Sequence, residues 1–170
     1  QATSIPKLLI IDGQQRLTTL SLLLSALWKD IKENNIENAD ISQRQINNYF
    51  LLNNDEAGEK RYKLILTQSD KDILIKIVES RDVEVDKFHK LVTNYKFFEN
   101  KIKESRINIE KLYNGVGKLL VVDVSLDAND NPQLIFESLN STGLDLSQAD
   151  LIRNYILMGL NSEEQKSLYA

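Results

Sequence analysis

A chain of 170 residues, 42% of them apolar and 27% charged, is long enough for one domain with a buried core, and this composition excludes both wholesale disorder and a membrane class. Without a single cysteine, thiol catalysis, disulfide staples and cysteine-ligated zinc or iron–sulfur sites are excluded together, and a cytoplasmic setting is expected. The net charge of −4 argues against a domain-wide basic surface for duplex DNA, because non-specific affinity comes mainly from phosphate neutralisation; local basic sites stay open.

The first apolar run, Leu8-Leu9-Ile10-Ile11, stops at Asp12-Gly13 and reads as a buried strand ending in a tight turn. A helix should follow. Leu17, Leu20, Leu23, Leu24, Leu27 and Ile31 recur at three- and four-residue steps, and Asn34-Asn35 marks the end. Thr18, Thr19, Ser21 and Ser25 interrupt this stretch and make it too polar to span a membrane. Tyr49-Phe50-Leu51-Leu52 and residues 62–67 flank a polar loop through Asn53, Asn54 and Gly58 and fit a hairpin; the first arm equally fits the end of a helix begun near Ser42.

Ser69 with Asp72 looks like a capped helix start, and Ile73, Leu74, Ile77 and Val78 supply the buried face. Phe88, Leu91, Val92, Tyr95, Phe98 and Ile102 continue the helical spacing on a longer element. Its exposed face should carry Lys96, Glu99, Lys101, Lys103 and Glu104 as solvated mixed charge, with His89 a surface side chain on the same helix. Residues 118–126 are the clearest strand, with Val121, Val122 and Val124 as β-branched side chains. Pro132 suits the first turn of a short helix over 133–139. After Asn140-Ser141-Thr142-Gly143, Ser147 and Asp150 suggest another capped helix, with Leu151, Ile152, Tyr155 and Ile156 as its apolar stripe. The expected fold is α+β and predominantly helical with a small sheet, one domain over 1–170: strand and helix in 1–35, a mainly helical insert in 36–117, and strand, loop and helix in 118–160.

Two polar constellations carry the chemistry. The first, Asp12-Gly13-Gln14-Gln15-Arg16-Leu17-Thr18-Thr19, sits at a strand-to-helix junction, where free backbone amides and the positive helix end attract anions. Gly13 lets the chain turn or lets a phosphate approach the backbone, and Arg16 can hold phosphate oxygens bidentately. Asp12 can ligate magnesium or accept a proton from water, and Gln14 and Gln15 can orient a water or read a base or sugar edge. No Walker loop is present. A helix cap followed by solvent-facing Gln, Gln and Arg fits the same spacing. The second constellation, residues 136–144 followed by Asp150-Leu151-Ile152-Arg153-Asn154, places Asn140, Gly143 and Arg153 around a polar loop and the start of a helix; simple chain reversal and an Asp150 cap fit it as well.

Together, Asp12 to Leu20 and the later Phe136 to Gly143 and Asp150 to Asn154 resemble the GmrSD-type restriction endonuclease N-terminal domains, which are themselves similar to the ParB/sulfiredoxin superfamily. The resemblance implies a small mixed sheet with a large helical insert, and a further N-terminal segment before the first block, so the fold is expected to be truncated there. It also implies a domain that binds and hydrolyses a nucleoside triphosphate with Mg2+ or another divalent cation, acting as an NTP phosphohydrolase that regulates a nuclease in modification-dependent restriction of phage DNA. On that resemblance Asp12, Gln14, Gln15 and Arg16 are the candidate catalytic residues, Gly13, Arg16, Thr18, Asn140, Gly143 and Arg153 the nucleotide-binding set, and Asp12 and Asp150 the candidate metal ligands. The implied partners are a nucleoside triphosphate, DNA and a nuclease domain or subunit, with no membrane. Family nucleases of the HNH type need several histidines; with His89 alone, this chain is not expected to cut DNA that way. Two alternatives are a non-enzymatic DNA- or partner-binding module contacting through Lys60, Arg61 and Lys63, and a direct DNA nickase.

Overall fold

The computed structural model describes residues 5–34, 36, 43–84, 88–104, 108–126, 130, 131, 134 and 135. The chain divides into two compact units, Gln1–Val121 and Val122–Ala170, and most described residues belong to the first.

The leucine spacing does produce a long helix, α1, Gln14–Asn34. Leu22, Leu24, Leu27 and Ile31 are buried, whereas Leu17 is exposed and Leu20 half-exposed, so the first turns of α1 project from the core. Ser25 is buried without penalty because its hydroxyl donates to the Ser21 carbonyl at 2.7 Å. A short α2 (Gln43–Ile46) runs directly into a π-helical turn, Asn47–Leu51. The segment 49–52 therefore ends a helix rather than forming a full hairpin arm. What remains of the hairpin is one antiparallel bridge, Leu52 with Tyr62, beside a 3-10 turn at Gly58–Arg61.

Helix α3, Gln68–Val78, buries Ile73, Leu74, Ile77 and Val78 as the spacing requires. Its cap is Thr67, not Ser69, and Thr67 makes no side-chain capping bond; Asp70 supplies the acid of the first turn. The helix closes in a Schellman arrangement, with the Arg81 amide on the Lys76 carbonyl at 2.8 Å and the Ser80 amide on the Ile77 carbonyl at 3.0 Å. Ser80 holds the left-handed position at φ 53.

Helix α4, Lys90–Glu104, buries Leu91, Val92, Tyr95 and Ile102 and packs mainly on α1. Its mixed-charge face needs one correction: Glu99 is buried, at 7% exposure. Position 99 falls on the stripe Val92, Tyr95, Glu99, Ile102, so the helix period itself carries it inward. His89 precedes α4 rather than lying on it. Its carbonyl accepts the Thr93 amide, its Nδ1 accepts the Leu91 amide at 3.3 Å, and its Nε2 lies 3.2 Å from Asp70 of α3, so it joins two helices. Helix α5, Ile109–Val116, is capped by Asn108, whose side chain accepts from the Lys111 amide at 2.9 Å.

The expected strands do not form among the described residues. Leu8 and Leu9 are 80% and 86% exposed, and residues 118–126 make no ladder, with Leu120 at 99% exposure. A strand needs a neighbour to pair its amides and a face to bury against; β-branched composition alone provides neither. In the second unit Leu134 and Ile135 are helical, and Asn131 accepts their amides through its side chain and carbonyl. The remainder of the 133–139 helix, the loop at 140–143 and the expected helix after Ser147 lie outside the described residues.

Candidate functional site

The start of α1 is built by Gly13. At φ +84 it turns the chain in a conformation that L side chains rarely adopt, and its carbonyl accepts the Leu17 amide at 3.0 Å as the first helical bond. This turn sets Asp12 over its own helix end. One carboxylate oxygen accepts the Gly13 amide at 2.6 Å and the other accepts Arg16 Nη2 at 2.8 Å. A Cβ at position 13 would stand 3.7 Å from Arg16 Nη2, so the guanidinium folds closely over the glycine.

The pair is open to solvent, with side-chain exposures of 77% for Arg16 and 41% for Asp12. Gln14 folds back, donating from Nε2 to the Ile10 carbonyl at 2.7 Å, which ties residue 10 to the helix. Gln15 is exposed. Thr18 and Thr19 spend their hydroxyl protons on the carbonyls of Gln14 and Gln15, both at 2.8 Å. No acidic residue stands in the first turn, and the amides of the first turn of any α-helix have no intrahelical partner. The site therefore gathers backbone donors, a guanidinium and one carboxylate on an exposed helix end, an arrangement suited to a multiply charged anion.

Asn140, Gly143, Asp150 and Arg153 lie outside the described residues. Among the described residues no three His, Asp or Glu side chains gather as a metal cluster, and no helix is long and apolar enough to cross a membrane.

A second polar centre was hidden in the sequence. Glu99 of α4 accepts from Lys29 of α1 at 2.7 Å and pairs with Lys96 at 3.1 Å. Burial pushes the Glu99 carboxyl up, but the two ammonium groups bonded to it outweigh burial and hold it below the ordinary glutamate value. Burial, reinforced by Glu99, raises the neighbouring Tyr95 phenol. The signal available in sequence was the stripe position of Glu99, which its charge disguised.

The chain belongs to the family described as GmrSD restriction endonuclease, N-terminal domain, which it matches over residues 1–157. It is thus a domain of a restriction endonuclease system. No curated protein and no solved structure matches it.

Proposed function

We propose that the start of α1 binds a nucleoside triphosphate with magnesium and hydrolyses it, as the control step of a nuclease in a modification-dependent phage-defence system. The observation that carries this reading is the Asp12–Arg16 pair, poised over the Gly13 turn at an exposed helix N-terminus. Arg16 would hold phosphate oxygens together with the first-turn amides, and Gln15 would orient the attacking water.

The residues fit magnesium. An exposed Arg–Asp pair contributes only about 0–1 kcal/mol, so phosphates that draw Arg16 away leave an Asp12 oxygen for the ion. Magnesium bound to a triphosphate needs only one or two protein carboxylates beside phosphate oxygens and waters. It would neutralise charge developing on the phosphates; on the family resemblance alone, Asn140, Gly143 and Arg153 are the further nucleotide-binding candidates and Asp150 the further metal ligand. The reading includes a small ParB/sulfiredoxin-like sheet, for which residues 8–11 and 118–126 are the strand material, and DNA and a nuclease as partners in the whole system.

Calorimetric titration of ATP, GTP, CTP and UTP with magnesium, with phosphate release followed in parallel, tests this on wild type and Arg16→Ala. Binding by the wild type that Arg16→Ala abolishes is the expected result. A wild-type chain that binds none of the four overturns it.

A further inference from the structure

Both oxygens of the Asp12 carboxylate are engaged within the chain. One accepts the Gly13 amide at 2.6 Å and the other accepts Arg16 Nη2 at 2.8 Å. These are two of the donors that the start of α1 offers to a phosphate, so the chain's own carboxylate sits where the anion would go. The Gly13 turn, at φ +84, aims Asp12 back at the helix end, and the guanidinium folds over that turn, 3.7 Å from where a Cβ at position 13 would stand. Gln14 holds the approach: its bond to the Ile10 carbonyl at 2.7 Å ties the chain before Asp12 to the helix and keeps the carboxylate beside Arg16. The first turn of α1 itself holds no acidic residue.

A phosphate that reaches Arg16 therefore has to displace Asp12, and then lies beside a carboxylate of its own sign. The pair is exposed, 77% at Arg16 and 41% at Asp12, and solvent weakens its attraction, so it opposes an anion without barring it. A divalent cation carried on the phosphates reverses the balance. The displaced carboxylate then gains a partner, and local repulsion becomes attraction. One carboxylate oxygen is enough for a magnesium ion already held by phosphates.

Resting on the reading of this helix start as a triphosphate site, we propose that Asp12 is an internal competitor for the phosphate position. Its move from Arg16 to the divalent cation makes the site select metal-bound triphosphate over the metal-free anion. Anion and cation are then coupled through one side chain, and each raises the affinity of the other by the same factor. Asp12 consequently has two opposite effects that neither a plain helix cap nor a plain metal ligand has: it weakens binding without metal and strengthens binding with it.

Calorimetric titration of ATP, GTP, CTP and UTP, in excess EDTA and again in magnesium, tests this on wild type, Asp12→Asn and Glu33→Gln, each variant checked for wild-type circular dichroism. Asparagine keeps a carbonyl for the Gly13 amide but has no charge with which to hold Arg16. In EDTA, Asp12→Asn should bind about fivefold more tightly than wild type. Magnesium should tighten wild-type binding about tenfold and Asp12→Asn binding hardly at all. Glu33→Gln removes the same charge from the far end of α1, about 25 Å away, and should match wild type in both conditions. Wild-type binding with magnesium, alongside Asp12→Asn binding in EDTA no tighter than wild type, overturns the competitor and leaves the nucleotide site standing. Equal wild-type affinity in EDTA and in magnesium overturns it as well. Binding of none of the four nucleotides in either condition overturns the nucleotide site itself, and the competitor with it.

Discussion

Lys29 of α1 and Glu99 of α4 meet at 2.7 Å across 70 residues of sequence, and Glu33 meets Lys103 at 3.4 Å one turn further along both helices. The first pair puts a charge at the main helix interface, so its two halves are not equivalent. Lys29→Met leaves a buried carboxylate with Lys96 as its remaining ammonium partner, and should cost about 2 kcal/mol in urea unfolding. Glu99→Leu leaves two lysines that can reach water and should stay within about 1 kcal/mol of wild type. Equal losses would show that the interface does not desolvate the carboxylate.

The same carboxylate sets an acid limit. Because the Glu99 carboxyl is held below its ordinary value of 4.5, its contribution is fully present above the unfolded pKa and is lost as pH falls through the folded one. Unfolding free energies measured from about pH 7 down to about pH 3 should decline, and Glu99→Gln should make that decline shallower. The Glu59 carboxyl is also lowered, by hydrogen bonds from Lys71 and Lys7, but it is exposed and screened, so Glu59→Gln should change the profile little.

Ser80 occupies the position at the end of α3 that favours glycine, and its buried hydroxyl has no hydrogen-bond partner among the described residues. Ser80→Gly removes both costs and should stabilise the chain by about 1 kcal/mol, read as a raised midpoint in thermal or urea unfolding. An unchanged or lowered midpoint would contradict this account of the helix end.

Gly13 is the converse case. At φ +84, Gly13→Ala should cost roughly 1–2 kcal/mol from backbone strain, since the added Cβ meets Arg16 only at ordinary contact distance. Gly13→Asn should lose less than Gly13→Val, because asparagine tolerates the left-handed region. If nucleotide binds here, Arg16→Lys should weaken it more than tenfold, as a point charge replaces a fork that matches two oxygens.

Much of the helical framework was legible because burial repeats with the helix period. Ile73 to Val78 and Leu91 to Ile102 show it; on α1 the leucine spacing marked Leu24, Leu27 and Ile31 but not Leu22 or Trp28, which are buried as well, and the turn at Asp12-Gly13 follows from the residues that tolerate it. Glu99 was misplaced because a charged residue reads as exposed until its partner is known, and that partner sits on another helix. The strands expected at 8–11 and 118–126 do not form among the described residues for a related reason: a strand is completed by a neighbour, and apolar composition does not supply one.

Sequence by itself determined the local features: which faces of α3 and α4 are apolar, where α1 begins, and which polar residues gather at its start. These depend on interactions within a few positions along the chain. Tertiary structure alone decided that Lys29 would neutralise Glu99, that His89 would join α4 to Asp70 of α3, and that Asn48, Asn54 and Glu56 would line one open hollow with Ile5. Each of these joins side chains or backbone through space, and it is the packing of helices and turns, not the spacing of residues, that brings them within reach.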